Sequence, residues 1–306
     1  KLRNGRNRIV VSCTSENGSE SLPVEIEVNY NDSARGNVYF IGIAVAEYKD
    51  DAYNLKYSVK DIRDLAGLFA SKYPTLKVDT LFNKNATRSN ILLLKQKLQS
   101  LHVNDVVIMA ISGHGLLSKN LDFYYATWDV NFKQPELNGI KYEDLEALLD
   151  CIAARKKLLM LDACHSGEVD RDGNMKVMDI LPEGVKENRS KGAQLLQDST
   201  SLSLSNSFEL MKEIFASLSK GNGSIVISAA GGKEFAYESD RWKNGVFTYC
   251  VYKGLQEGKA DLNNDKAITI SELKKYVSAE VEKLTMGRQK PTSRRENLIF
   301  DWRIWE

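Results

Sequence analysis

Histidine and cysteine are scarce in this 306-residue chain, which holds three of the first and four of the second. The cysteines, Cys13, Cys151, Cys164 and Cys250, stand far apart. They show neither the C-x-x-C spacing of zinc and redox sites nor the density of a disulfide scaffold. Reduced or catalytic thiols remain, which favours a cytoplasmic setting without fixing the compartment. An excess of either charge is also missing: 42 Lys and Arg stand against 41 Asp and Glu. No global field therefore draws the chain to nucleic acid or an anionic membrane. No apolar run approaches the roughly 18–20 residues that span a bilayer, so no membrane partner is expected, and no leader-like segment opens the chain. The first residue is Lys1 rather than Met, and the chain is expected to be part of a longer, multidomain protein.

What is present reads as a folded domain, with 42% hydrophobic and 27% charged residues. Residues 1–30 alternate polar and apolar positions around a Glu16-Asn17-Gly18 turn. That pattern predicts a β-hairpin, or the tail of a preceding β-sandwich domain, since two strands alone are marginal in water. A polar linker follows from Asn31 to Gly36. From Val38 onward, buried strands alternate with helical periodicity. Strands are expected at Val38–Val45, Lys77–Phe82, Val106–Ile111, Leu158–Leu161 and Ser224–Ala230. Helices are expected at Tyr57–Phe69, Ile91–Leu98, Tyr142–Ala154, Phe208–Ser219, Phe247–Glu257 and Ile270–Leu284. Such alternation implies an α/β fold with a mainly parallel central sheet and helices on both faces. The stretch 168–206 loses all periodicity, as functional or disordered segments do.

Two of the apolar runs end abruptly in reactive side chains. Val106 to Ile111 leads into Ser112-Gly113-His114-Gly115, and Leu158 to Leu161 leads into Asp162-Ala163-Cys164-His165-Ser166-Gly167. Ligands of an open parallel sheet gather beyond the carboxyl ends of its strands, so Cys164 and His114 are expected to meet there. A thiol needs a base to become a useful nucleophile. His114 is that base, because His165 follows the cysteine directly and His102 precedes its strand on a turn. Backbone N–H groups of Gly113 and Cys164 are the natural donors to an oxyanion. A buried, inert cysteine is the bland alternative.

These motifs resemble the caspase-like cysteine peptidases, and within them the metacaspase and orthocaspase branch, over roughly residues 36–295. The spacing of about 50 residues from histidine to cysteine is already a known mark of caspases. The resemblance implies a caspase-like (caspase-hemoglobinase) fold over 36–300. Its larger part would be 36–167, its linker or processing loop 168–206 and its smaller part 207–300. It also implies an endopeptidase with a Cys164–His114 dyad, acting on protein or peptide substrates as a monomer and needing no cofactor.

By the same resemblance, Asp162 and Asp61 are the acids of the pocket for the P1 side chain, the second of them carried by the segment Leu55-x-x-Ser58-x-x-Asp61. Ser58 stands where many members have cysteine, and Ser112 is similar to a pocket-lining serine. Two carboxylates there would favour Arg or Lys. Arg171, Lys176, Lys186, Arg189 and Lys191 are then candidate self-cleavage sites. Ala229, Ala230, Tyr237 and Glu238 fall where the family walls its substrate groove. Calcium-dependent members carry an acidic site. That site finds no clear match here. Independently of the resemblance, Asp261, Asn263, Asp265 and Glu272 fall at positions 1, 3, 5 and 12 of an EF-hand-like loop, with Lys266 in place of the turn glycine; a turn with capping residues would look the same. Three alternatives stay open: a catalytically silent adaptor, a caspase-like peptidase with a non-basic P1 preference, and another cysteine hydrolase or acyltransferase on a similar sheet.

Overall fold

A computed structural model describes residues 2, 5–30, 36–120, 122–165, 224–229, 237–293 and 301–306, with the backbone alone for Cys164, His165 and Ser293. The expected self-cleavage residues, Ala230 and the helix expected at Phe208–Ser219 lie outside the described residues.

The body is built on β3 (Val38–Ala44), β4 (Lys77–Phe82), β5 (Val106–Leu117), β8 (Lys156–His165) and β9 (Ser224–Ser228). These five pair in parallel in the order β9-β8-β5-β3-β4. An antiparallel strand, β10 (Thr292–Ser293), closes the β9 edge. The short β6 (Phe123–Tyr125) folds back on the far end of β5 and pairs with β7 (Ile140–Lys141). Every residue of β5 after Val106 is buried, so the strand reads as a continuous apolar run rather than an alternating one.

Side-chain alternation along the strands divides the core in two. Ile41, Ile43, Met109, Ile111, Leu159 and Leu161 pack with Ile91, Leu94 and Leu98 of α2 (Arg88–Leu98) and with Tyr142 and Leu145 of α3 (Tyr142–Ala147). Phe40, Ile108, Ala110, Leu158 and Met160 pack on the other face against α1 (Ser58–Lys72), α4 (Val246–Gln256) and α5 (Ile270–Leu284). The mainly parallel sheet with helices on both faces is therefore as the sequence periodicity implies. The helix expected over Tyr142–Ala154 stops at Ala147. Leu148, Leu149 and Asp150 donate to carbonyls three residues back, and Cys151 turns to φ 54°. Tighter i→i+3 bonding of this kind ends helices.

The N-terminal hairpin pairs β1 (Gly5–Val11) with β2 (Val24–Tyr30), with Gly18 at φ 84° in its turn. Arg6 and Arg8 form ion pairs with Glu27 and Glu25. Ile9, Val11, Val24 and Ile26 are exposed.

Candidate active site

The ladder between β5 and β8 brings the two motifs together. Its register sets Ser112 opposite Asp162, Gly113 opposite Ala163 and His114 opposite Cys164. Pairing of β3 with β5 ends at Ser112, so the last pair stands beyond the carboxyl edge of that neighbour, where such sheets bind ligands. His102 precedes β5 at its opposite end, its N–H held by Asp105. Among the other cysteines, Cys13 and Cys151 are exposed. Burial pushes the Cys250 thiol up to about 12, which removes it as a nucleophile.

His114 is 4% exposed and held from several directions. Its Nε2 lies 2.9 Å from the carbonyl oxygen of Tyr53. A carbonyl can only accept, so Nε2 carries the proton, and in the neutral ring Nδ1 is the basic nitrogen. The backbone N–H of His114 donates to Tyr48 Oη at 2.9 Å, and its carbonyl accepts from Ala126 N at 2.9 Å. Three aromatic rings surround the imidazole, with centroids at 5.2 Å (Tyr48), 5.8 Å (Phe132) and 6.4 Å (Tyr53).

Gly113 is required by close approach: a Cβ there would lie 3.0 Å from the Tyr125 ring and 3.0 Å from Tyr48 Oη. Tyr125 donates to the Ser112 carbonyl at 2.9 Å. Burial holds its phenol well above the usual range, so it stays a donor.

Asp61 and Ser112 form one buried cluster, and Asp162 adjoins it through the strand register. Asp61 is fully buried on α1. Its Oδ1 accepts from Asn244 Nδ2 and Gly245 N, both at 3.0 Å, and its Oδ2 lies 3.5 Å from Ser112 Oγ. Asp162, opposite Ser112, accepts from Thr248 Oγ1 at 3.0 Å. Ser58 lies one helical turn before Asp61, on the same side of α1. It is fully buried, and its Oγ makes no hydrogen bond.

Glu238, Tyr237 and Ala229 also take part in hydrogen bonds within the fold. Glu238 is buried, and its carboxylate accepts the backbone N–H groups of Lys56 and Tyr57 at 3.2 Å each. An anion is favoured at that spot because the positive end of the α1 dipole begins there. Tyr237 N donates to Gln289 Oε1 at 3.2 Å, and Gln289 Nε2 donates to the Ala229 carbonyl at 2.9 Å. One fully buried amide thus joins Ala229 to Tyr237.

In the acidic run, Asp261 accepts from the N–H groups of Asp265 and Lys266, and Asn263 from that of Asp265. Glu272 closes a capping box with Thr269 at the start of α5. Among the described residues no group of three or more His, Cys, Asp or Glu is placed to hold a metal ion. No helix of the described residues is long and apolar enough to cross a membrane.

Sequence reasoning missed Tyr53, Tyr48, Phe132, Thr248 and Gln289. A backbone carbonyl such as that of Tyr53 leaves no trace in residue identity, and the others act across 18 to 86 positions of sequence.

Comparison with known proteins gives the same architecture. No curated protein matches by sequence. Two similar solved structures are protein GSU0716 from Geobacter sulfurreducens (17% identity, TM-score 0.56, covering 87% of this chain and 93% of that one) and caspase-1 from Spodoptera frugiperda (13% identity, TM-score 0.51, covering 86% and 88%). At such identities they speak for the fold. A sequence model described as the caspase domain matches residues 40–301. With most of its length in that match, and with the fold to go with it, the chain belongs to the caspase family of cysteine peptidase domains.

Proposed function

We propose that the protein is a cysteine endopeptidase of metacaspase or orthocaspase type, cleaving after Arg or Lys through Cys164 and His114. The observation that carries this reading is the β5–β8 register, which pairs the backbone of His114 with that of Cys164 and that of Ser112 with that of Asp162. His114 Nδ1 takes the thiol proton, and the sulfur attacks the scissile carbonyl carbon. The carbonyl oxygen becomes an oxyanion facing the N–H groups of Gly113 and Cys164. Collapse breaks the C–N bond as the imidazolium returns its proton to the leaving amine. Water, deprotonated by His114, then attacks the thioester and releases the acid and the thiol. None of these steps calls for a metal.

The basic P1 preference rests on Asp61 and Asp162, with Ser112 and Ser58 as neutral hydrogen-bonding companions. Two buried carboxylates reward a guanidinium or ammonium and penalise an acidic side chain. Self-processing at Arg171, Lys176, Lys186, Arg189 or Lys191 follows from the same preference.

The test is a panel of fluorogenic peptides that differ only at P1, assayed with and without calcium, with Cys164→Ala as control. Release after Arg or Lys, and none from Cys164→Ala, is expected. Release after Asp or small apolar residues alone would remove the acidic-pocket assignment. No Cys164-dependent release would favour a binding role.

A further inference from the structure

Phe132 lies in a loop, 18 positions from His114, yet it touches both sides of the histidine's support. Its ring stacks on that of Tyr53, with centroids 3.6 Å apart and planes 7° from parallel. The same ring meets His114 edge-on, at 5.8 Å and 82°. It also meets Tyr48 edge-on, at 5.3 Å and 71°. Tyr53 supplies the carbonyl on Nε2, and Tyr48 the hydroxyl on the His114 backbone. Phe132 therefore contacts both residues that hold His114, as well as the imidazole itself.

Its own position is fixed by the loop. Asn131 Oδ1 accepts the N–H groups of Lys133 at 2.9 Å and Gln134 at 3.1 Å, and Asn131 N donates to Leu137 O at 3.2 Å. Such an Asx turn holds the backbone on the C-terminal side of Phe132. The loop carrying Tyr53 is clipped to the same region by Lys49 N donating to Trp128 O at 2.9 Å. Tyr53 ends a single short turn, Asp51–Tyr53, which contains no buried residue. The chain just after it is tied down by Tyr48 N donating to Asn54 Oδ1 at 2.7 Å and Leu55 N to Ala46 O at 2.8 Å, while the Tyr53 ring itself rests on Phe132.

We propose that Phe132 is a positioning residue for His114, acting through the stacked Tyr53 ring to keep the Tyr53 carbonyl on Nε2 and the proton on that nitrogen, so that Nδ1 faces the thiol as the base. The proposal rests on His114 being the base for Cys164. Its role is orientation: two rings this close and this nearly parallel restrict each other's tilt.

Two measurements test it. Histidine-selective 15N NMR has only three imidazoles to separate, and it can be run on the inactive Cys164→Ala protein, so it reports whether or not peptides are cleaved. The His114 Nε2 proton should be hydrogen-bonded and slow to exchange. Adding Phe132→Ala or Phe132→Leu should speed its exchange with water by about tenfold or more, while Phe132→Tyr, which can stack, keeps it slow. In the active enzyme, Phe132→Leu should lower kcat by about 10- to 100-fold with little change in KM, and Phe132→Tyr should restore most of it. Unchanged proton exchange in a folded Phe132→Leu protein would overturn the proposal, as would equal loss in the Leu and Tyr variants. A wild type that cleaves nothing while the exchange behaves as expected would instead count against the peptidase reading alone.

Discussion

A carboxylate that is fully buried keeps its charge only if donors replace the water it lost, and Asp61 has Gly245 N, Asn244 Nδ2 and Ser112 Oγ around it. Asn in its place keeps one accepting oxygen and the shape, and removes the charge. A hydrogen bond to a charged group contributes about 1.5–3 kcal/mol, which is about 10- to 100-fold in rate. Asp61→Asn and Asp162→Asn should therefore each lower kcat/KM for Arg and Lys substrates by that factor, and leave a P1-Gln peptide much less affected. Equal losses on charged and neutral P1 peptides would assign both residues to folding instead. The residues that announced themselves in sequence, Cys164, His114, Asp162 and Ser112, share one trait: each follows directly on an apolar run, so strand and reactive group are read together. Tyr53 and Gln289 lack any such flag, because one acts through its backbone and the other sits beyond the end of α5.

At the scale of elements, α1 is set against the sheet by one missing side chain. A Cβ on Gly42 of β3 would come within 2.4 Å of Ile62 Cγ2, and Ile62 neighbours Asp61. Gly42→Ala should push α1 outward and cost about 1–3 kcal/mol, as overpacking does. Urea denaturation reads that loss as a lower midpoint at unchanged slope. A parallel loss of activity on basic P1 peptides is expected, because Asp61 moves with the helix; unchanged stability would mean the β3–α1 contact is looser than drawn. The strands and most helices were legible because apolar periodicity governs both. Helix α1 was expected to open at Tyr57 and does so one residue later, whereas α3 ran short of its periodicity. Leu148 and Leu149 continue the apolar pattern and are buried, but the backbone has already tightened beneath them. Periodicity reports burial; it does not report where the hydrogen bonding changes.

For the molecule as a whole, the segment between His165 and Ser224 separates two parts that are joined in many other ways. Leu158 to Leu161 of β8 pair with Ile225 to Ser228 of β9. Across the same seam Asp61 meets Asn244 and Gly245, Glu238 meets Lys56 and Tyr57, and Lys56 forms an ion pair with Asp240. A chain cut once between 166 and 223 should therefore stay one particle. Denaturing electrophoresis would show two fragments where gel filtration shows a single species, and separate elution in native buffer would mean that the seam alone is too weak. In the sequence, only a loss of periodicity marks the stretch between these parts. The contacts across the seam leave no mark, since hydrogen bonds between residues some 180 positions apart follow no local pattern.

The Gln289 bridge carries a consequence for redesign. Because one side chain fastens both Ala229 and Tyr237, the spacing of these two backbone positions answers to residue 289, which lies far from either in sequence. Any redesign near one of them therefore has to keep an amide at 289 or supply another donor and acceptor for the two buried backbone groups.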